Sequence, residues 1–156
     1  MTRTDDPRFV EAMWRAADLT RAYLAQDSAH VAACLTGLDT DQQEHFLMWL
    51  VLEHDALFGD LGEPTMGVRR LNELAALAPP ETELATTTAF RRIAAEEVGL
   101  TRAVEDLELR DRVHTIAICT AVMLLEALGP IHALKHLDNE TAEYERKGYP
   151  RPPTLP

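Results

Sequence analysis

Apolar residues recur along this chain at helical spacing, and in two places they crowd into runs that leave no polar side. From Pro7 to about Gln26, Phe9, Val10, Met13, Trp14, Ala17 and Leu24 are set against Arg8, Glu11, Arg15, Asp18 and Arg21. That pattern predicts an amphipathic helix with one face on a core. Asp27 or Ser28 can cap a short second helix that ends at Gly37. Thr40 and Gln43 then have the spacing of a capping box, ahead of a third helix from Asp41 to about Phe58. Within it, Phe46-Leu47-Met48-Trp49-Leu50-Val51-Leu52 is apolar without interruption. A helix apolar all round must be covered on most sides, so this one is expected at the centre.

Gly59, Gly62 and Pro64 break that helix, and a fourth is expected from about Thr65 to Ala78 with Val68, Leu71, Leu74, Ala75 and Ala78 inward. Pro79-Pro80 ends it and opens a fifth, Glu81 to Val98, because proline is tolerated in a first helical turn and not inside. The apolar set of the fifth (Leu84, Ala89, Phe90, Ile93, Ala94) is thin, and Thr86-Thr87-Thr88 lowers its helix propensity. Gly99 stops it, and Thr101 is expected to cap a short segment reaching about Glu108. Arg110 to Leu128 is a second strongly apolar helix, built on Ile116 to Leu125. Gly129-Pro130 closes it and starts a last helix to Lys147.

No stretch alternates with period two, so the fold class is all-α. The expectation is a compact bundle of about six to seven helices around two central hydrophobic helices, about 41–58 and 110–128. Residues 1–147 would form a single helical domain, followed by an extended Pro-rich C-terminal tail, 148–156.

Composition narrows the address and the partners. The start, Met1 to Phe9, is polar and charged, without the apolar core of a signal peptide. The longest apolar run is far shorter than the roughly 20 residues that cross a bilayer. Cys34 and Cys119 sit among apolar residues and read as buried thiols, so a cytoplasmic location is expected. Lys135 and Lys147 are the only lysines, an arginine-biased usage that fits a high-GC bacterial genome. The net charge of −11, from 26 acidic and 15 basic residues, disfavours nucleic acid and anionic membranes as partners.

Charge is also distributed unevenly. Between Arg21 and Arg69 there is no lysine or arginine, while Asp27, Asp39, Asp41, Glu44, Glu53, Asp55, Asp60 and Glu63 fall in that interval. If the second and third helices lie side by side, their outer face is negative and close to Trp49. Such a face suits a basic protein partner, with charge steering the encounter and apolar groups supplying affinity. The plain alternative is a solvated acidic surface that serves solubility.

His132 and His136, at i and i+4, share a helical face with Glu140. Two imidazoles and a carboxylate can hold a divalent transition metal, but the pair lacks the glutamate that makes HExxH specific. His54 between Glu53 and Asp55, and His114 near Asp111, have the makings of histidine–carboxylate pairs or of satisfied core histidines. The tail offers Tyr149, with Lys147, Pro150 and Pro153 in K-x-x-P-x-x-P spacing. It could bind a neighbour, pack on its own domain through Tyr149 and Leu155, or stay disordered. Phosphate loops, GxSxG, CxxC and calcium-loop motifs are missing from the sequence.

The reading that follows favours binding over catalysis and needs no cofactor: a small acidic adaptor, regulator or accessory subunit that binds a basic or amphipathic protein surface. Its expected contact residues are Asp41, Glu44, Glu53, Asp55, Asp60, Trp49, Tyr149, Pro150 and Pro153. The alternative is a metal-binding bundle using His132, His136 and Glu140. A small ligand between the central helices, or self-association as a homo-oligomer, would also fit the apolar runs.

Overall fold

The computed structural model describes residues 6–64, 66–95 and 99–156. Among the described residues the chain forms eight α-helices and no strand: α1 (Pro7–Leu24), α2 (Ser28–Ala33), α3 (Thr40–Asp60), α4 (Val68–Ala75), α5 (Pro80–Ala94), α6 (Leu100–Glu105), α7 (Leu109–Leu128) and α8 (Pro130–Arg146). The all-α expectation holds, with eight helices among the described residues where about six to seven were expected.

The differences lie at the ends, where local chemistry decides. Asp27, not Ser28, caps α2 by accepting the His30 N–H. The capping box of α3 falls one residue earlier than Thr40 and Gln43. Asp39 accepts the Gln42 N–H at 2.8 Å, and the Gln42 side chain accepts the Asp39 N–H at 3.0 Å. An aspartate with extended backbone outcompetes the threonine that follows it. Gly99, not Thr101, stands at the N-cap of α6, without a side-chain cap. α4 begins at Val68; the expected start at Thr65 and the expected end of α5 at Val98 lie outside the described residues.

α7 is the axis of the molecule. Every residue from Val113 to Leu124 is buried, and α1, α3, α4, α5 and α8 all pack on it. Alanines at the crossings, including Ala16, Ala22, Ala117, Ala121 and Ala133, are fully buried; their small side chains let helix axes approach closely. α3 is less central than its apolar run implies. Only Phe46, Leu50, His54 and Leu57 are buried, because α7 and α1 cover one side of α3. Val51 and Leu52 are left exposed, at 37% and 52%.

Burial also departs from simple hydrophobicity in α5, where Thr82 and Thr86 are buried while Leu84 is 70% exposed. The Thr82 hydroxyl donates to the buried Asp111 carboxylate at 2.8 Å, which gives that acid a partner inside the bundle. On α7, the Thr115 and Thr120 hydroxyls donate to the carbonyls of Asp111 and Ile116 one turn back. The Tyr23 hydroxyl and His114 Nδ1 meet at 2.7 Å in the core. Both side chains are buried there.

The C-terminal segment packs on its own helices. Tyr149, Leu155, Trp14, Met13, Val10, Tyr144 and Trp49 form a second, smaller apolar cluster. Trp14 Nε1–H donates to the Tyr149 carbonyl at 3.0 Å, and the Arg151 guanidinium forks onto Asp18 at 2.9 and 2.8 Å. Leu155→Asp would place a charge in this cluster and is expected to free the tail. The cost is on the scale of burying one leucine, about 1.5–3 kcal/mol. Tryptophan emission should shift to the red as Trp14 gains water; unshifted emission would mean that the tail docks without Leu155.

Candidate functional site

The acidic interval does not form one surface, because α2 packs against α1 and does not extend the face of α3. Two of its acids are used locally: Asp27 caps α2 and Asp39 caps α3. The rest divide between the two sides of α3 that the bundle leaves open.

The outer side follows the 3.6-residue period through Asp41, Glu44, Met48, Val51, Leu52 and Asp55. Its centre is apolar, with Val51 and Leu52 exposed and Met48 half-buried. Asp41, Glu44 and Asp55 are the exposed acids around it. Asp41 lies 3.8 Å from Arg8 and 3.6 Å from His45, so part of its charge is met locally.

The other side faces α8. Glu53, Ala56, Leu57 and Asp60 of α3 oppose His136, Asn139, Glu140, Glu143 and Arg146 of α8 across an open groove of about 470 Å³. Glu53 and Asp60, expected to act with Asp55, belong here. Trp49 sits nearby, half-buried and edge-on to Tyr144 at 6.4 Å.

The groove is electrostatically one-sided. Arg146 is engaged by Glu143, and His136 Nε2 lies 3.5 Å from Glu140. One oxygen of Glu53, Oε1, is buried without a hydrogen-bond partner. A buried carboxylate oxygen in that state is an acceptor in need of a donor. Burial raises the Glu140 carboxyl above its ordinary range, opposed by the hydrogen bond that the Tyr144 hydroxyl donates to it.

That shift has a consequence for stability. A carboxyl with a raised folded pKa stabilises the fold while protonated, and the contribution is lost as pH rises through the folded value. Ionisation of Glu140 therefore opposes folding. Glu140→Gln removes the charge, keeps an acceptor for Tyr144, and is expected to raise the Tm at pH 7. A lower Tm would show that its charge is already compensated in the fold.

The histidines separate. His132 is exposed in the first turn of α8, and Ile131 beside it is 79% exposed. His136 contacts Glu140, and among the described residues no three His, Cys, Asp or Glu side chains gather at metal-binding distances. His54 is buried with its Nδ1 3.2 Å from Asp55 Oδ1. His114 pairs with Tyr23. Burial pushes the thiols of Cys34 and Cys119 up to about 12, far from reactive thiolates.

In the tail, Tyr149, Pro150 and Pro153 line a broad groove of about 820 Å³ against Pro7, Val10 and Glu11 of α1. Pro150 and Pro153 are exposed, while Tyr149 is held by Trp14. Sequence reasoning missed Tyr144, which supports Glu140 from one turn away, and the groove's Glu143–Arg146 pair. An i, i+4 Glu–Tyr spacing was the available signal. Among the described residues no single helix is long and apolar enough to cross a membrane. Comparison with protein-family models, with curated proteins and with solved structures finds no match to the chain.

Proposed function

We propose that this protein is a non-enzymatic interaction module that binds a basic, amphipathic segment of another protein along α3. The observation that carries the reading is the buried, unpartnered Glu53 oxygen in a groove whose arginine, Arg146, is already engaged by Glu143. A lysine or arginine of a partner would supply the missing donor, and Arg in particular matches a carboxylate's geometry. Leu52 of the outer stripe and Ala56 at the groove, both exposed, give the partner's apolar side a place to lie. Asp41, Glu44 and Asp55 around that stripe would steer a positive segment toward it.

The test uses a lysine- and arginine-rich amphipathic helical peptide, followed by tryptophan fluorescence of the protein. Binding is expected to weaken with added salt. It should drop about tenfold or more in Glu53→Lys, the range for disrupting a buried charge contact. Glu81→Lys, on α5 at a different surface, should leave affinity unchanged. Affinity that ignores both salt and Glu53→Lys would refute the reading.

A further inference from the structure

We infer that the cavity between α3, α6 and α7 is a small-molecule site for a neutral, ring-sized apolar compound that carries one hydroxyl. The cavity measures about 210 Å³. Taking ~30 Å³ as the liquid volume of one water molecule, this admits roughly seven non-hydrogen atoms, the size of a phenol. Leu47 and Val51 of α3, Val104 of α6 and Ile116 of α7 make its walls apolar.

His54 supplies the polar contact. It forms part of the cavity wall and is only 6% exposed. Its ring stacks on Phe58 at 6.2 Å with an interplanar angle of 8°, which fixes the imidazole plane. Nδ1 faces Asp55 at 3.2 Å, while Nε2 is buried and has no hydrogen-bond partner. In the tautomer that donates Nδ1–H to Asp55, Nε2 keeps a lone pair. A ligand hydroxyl donating to Nε2 would satisfy it, and apolar walls with a few placed polar groups, here His54 with Thr101 also in the lining, are the usual form of a small-ligand site.

The charges in the lining select a neutral ligand. Asp55 and Glu105 would repel an anion. Arg112, the obvious counter-ion, is turned to the backbone instead. Its Nε donates to the Leu107 carbonyl at 2.8 Å and its Nη2 to the Glu105 carbonyl at 2.9 Å. This site shares Val51 and Asp55 with the outer side of α3, but its ligand class and its key residue, His54, differ from those of the α3–α8 groove, so the two readings are tested separately.

The test is an NMR titration of the intact chain with phenol and, as a probe of the same size and shape without a donor, toluene. Phenol is expected to give saturable shifts at the His54 imidazole nitrogens and the Val104 and Ile116 methyls. Toluene should bind about tenfold more weakly for want of the hydrogen bond. His54→Leu should erase phenol's advantage over toluene. If that variant does not fold, the phenol-to-toluene ratio in the unaltered protein decides alone. Equal affinities, shifts centred elsewhere, or the lack of saturable binding by phenol would each overturn the proposal.

Discussion

Leu124→Ala is expected to lower the free energy of unfolding by about 2–5 kcal/mol, the range found when a packed leucine site is emptied. Leu124 is fully buried in α7, the helix on which most of the others rest. Little can collapse into the vacated space, because α7 is buried without interruption from Val113 to Leu124. Removing the side chain therefore loses both transfer energy and contacts. Leu52→Ala, by contrast, should change stability by no more than about 0.5 kcal/mol, as expected for a surface position. Leu52 is 52% exposed on the outer side of α3. Urea denaturation of both variants with a shared m-value measures the difference. Similar losses in the two would mean that the outer side of α3 is covered in solution, for example by a second copy. On the interaction reading, Leu52→Ala should instead show its effect in peptide binding.

The second large effect is with pH. His114 is held down to about 4 from 6.5, first by burial and then by the nearby charge of Arg110. Its Nδ1 shares a hydrogen bond with the Tyr23 hydroxyl at 2.7 Å, which the neutral imidazole can make in either tautomer. The unfolded chain binds a proton at this histidine below about pH 6.5, while the folded chain resists until about pH 4. The stabilisation is thus complete above 6.5 and lost as pH falls through that window. At 1.36 kcal/mol per pKa unit, its full size is about 3 kcal/mol. The single substitution His114→Leu would leave the Tyr23 hydroxyl buried and unpaired. The double variant Tyr23→Phe/His114→Leu removes both groups and should flatten the fall in stability between pH 6.5 and 4. Glu140 acts in the opposite sense over its own range, so Glu140→Gln would not mimic that flattening. A double variant with the parent's acid slope would place the proton uptake elsewhere.

The segments Pro7 onward, Ser28 onward and Pro130 onward were legible as helices because capping aspartates, prolines and glycines act within a few residues of chain. The same is true of the long apolar stretch from Ile116 to Leu125, whose burial needs no partner to predict: any helix so apolar must be enclosed. Local pattern also marked the acidic interval and the His136–Glu140 spacing, since both are properties of neighbours on one helix.

What the pattern could not decide was which of two apolar helices would be enclosed. Phe46 to Leu52 looks as buried as Ile116 to Leu125 in one dimension, yet α7 is covered on all sides and α3 on one. Coverage depends on how many other helices reach a surface, and that is set by packing over the whole chain. The same holds for the acids: Glu53 and Asp55 are two residues apart in sequence but stand about 160° apart on the helix, so packing sends one toward α8 and leaves the other exposed. It holds too for Tyr23 with His114 and Thr82 with Asp111, pairs separated by 91 and 29 positions. The sequence by itself determined the helices and, to within a residue, most of their starts, because these rest on local capping and propensity. Only the tertiary structure decided the axis, the groove and the buried polar pairs, because each depends on surfaces that meet only when distant segments pack.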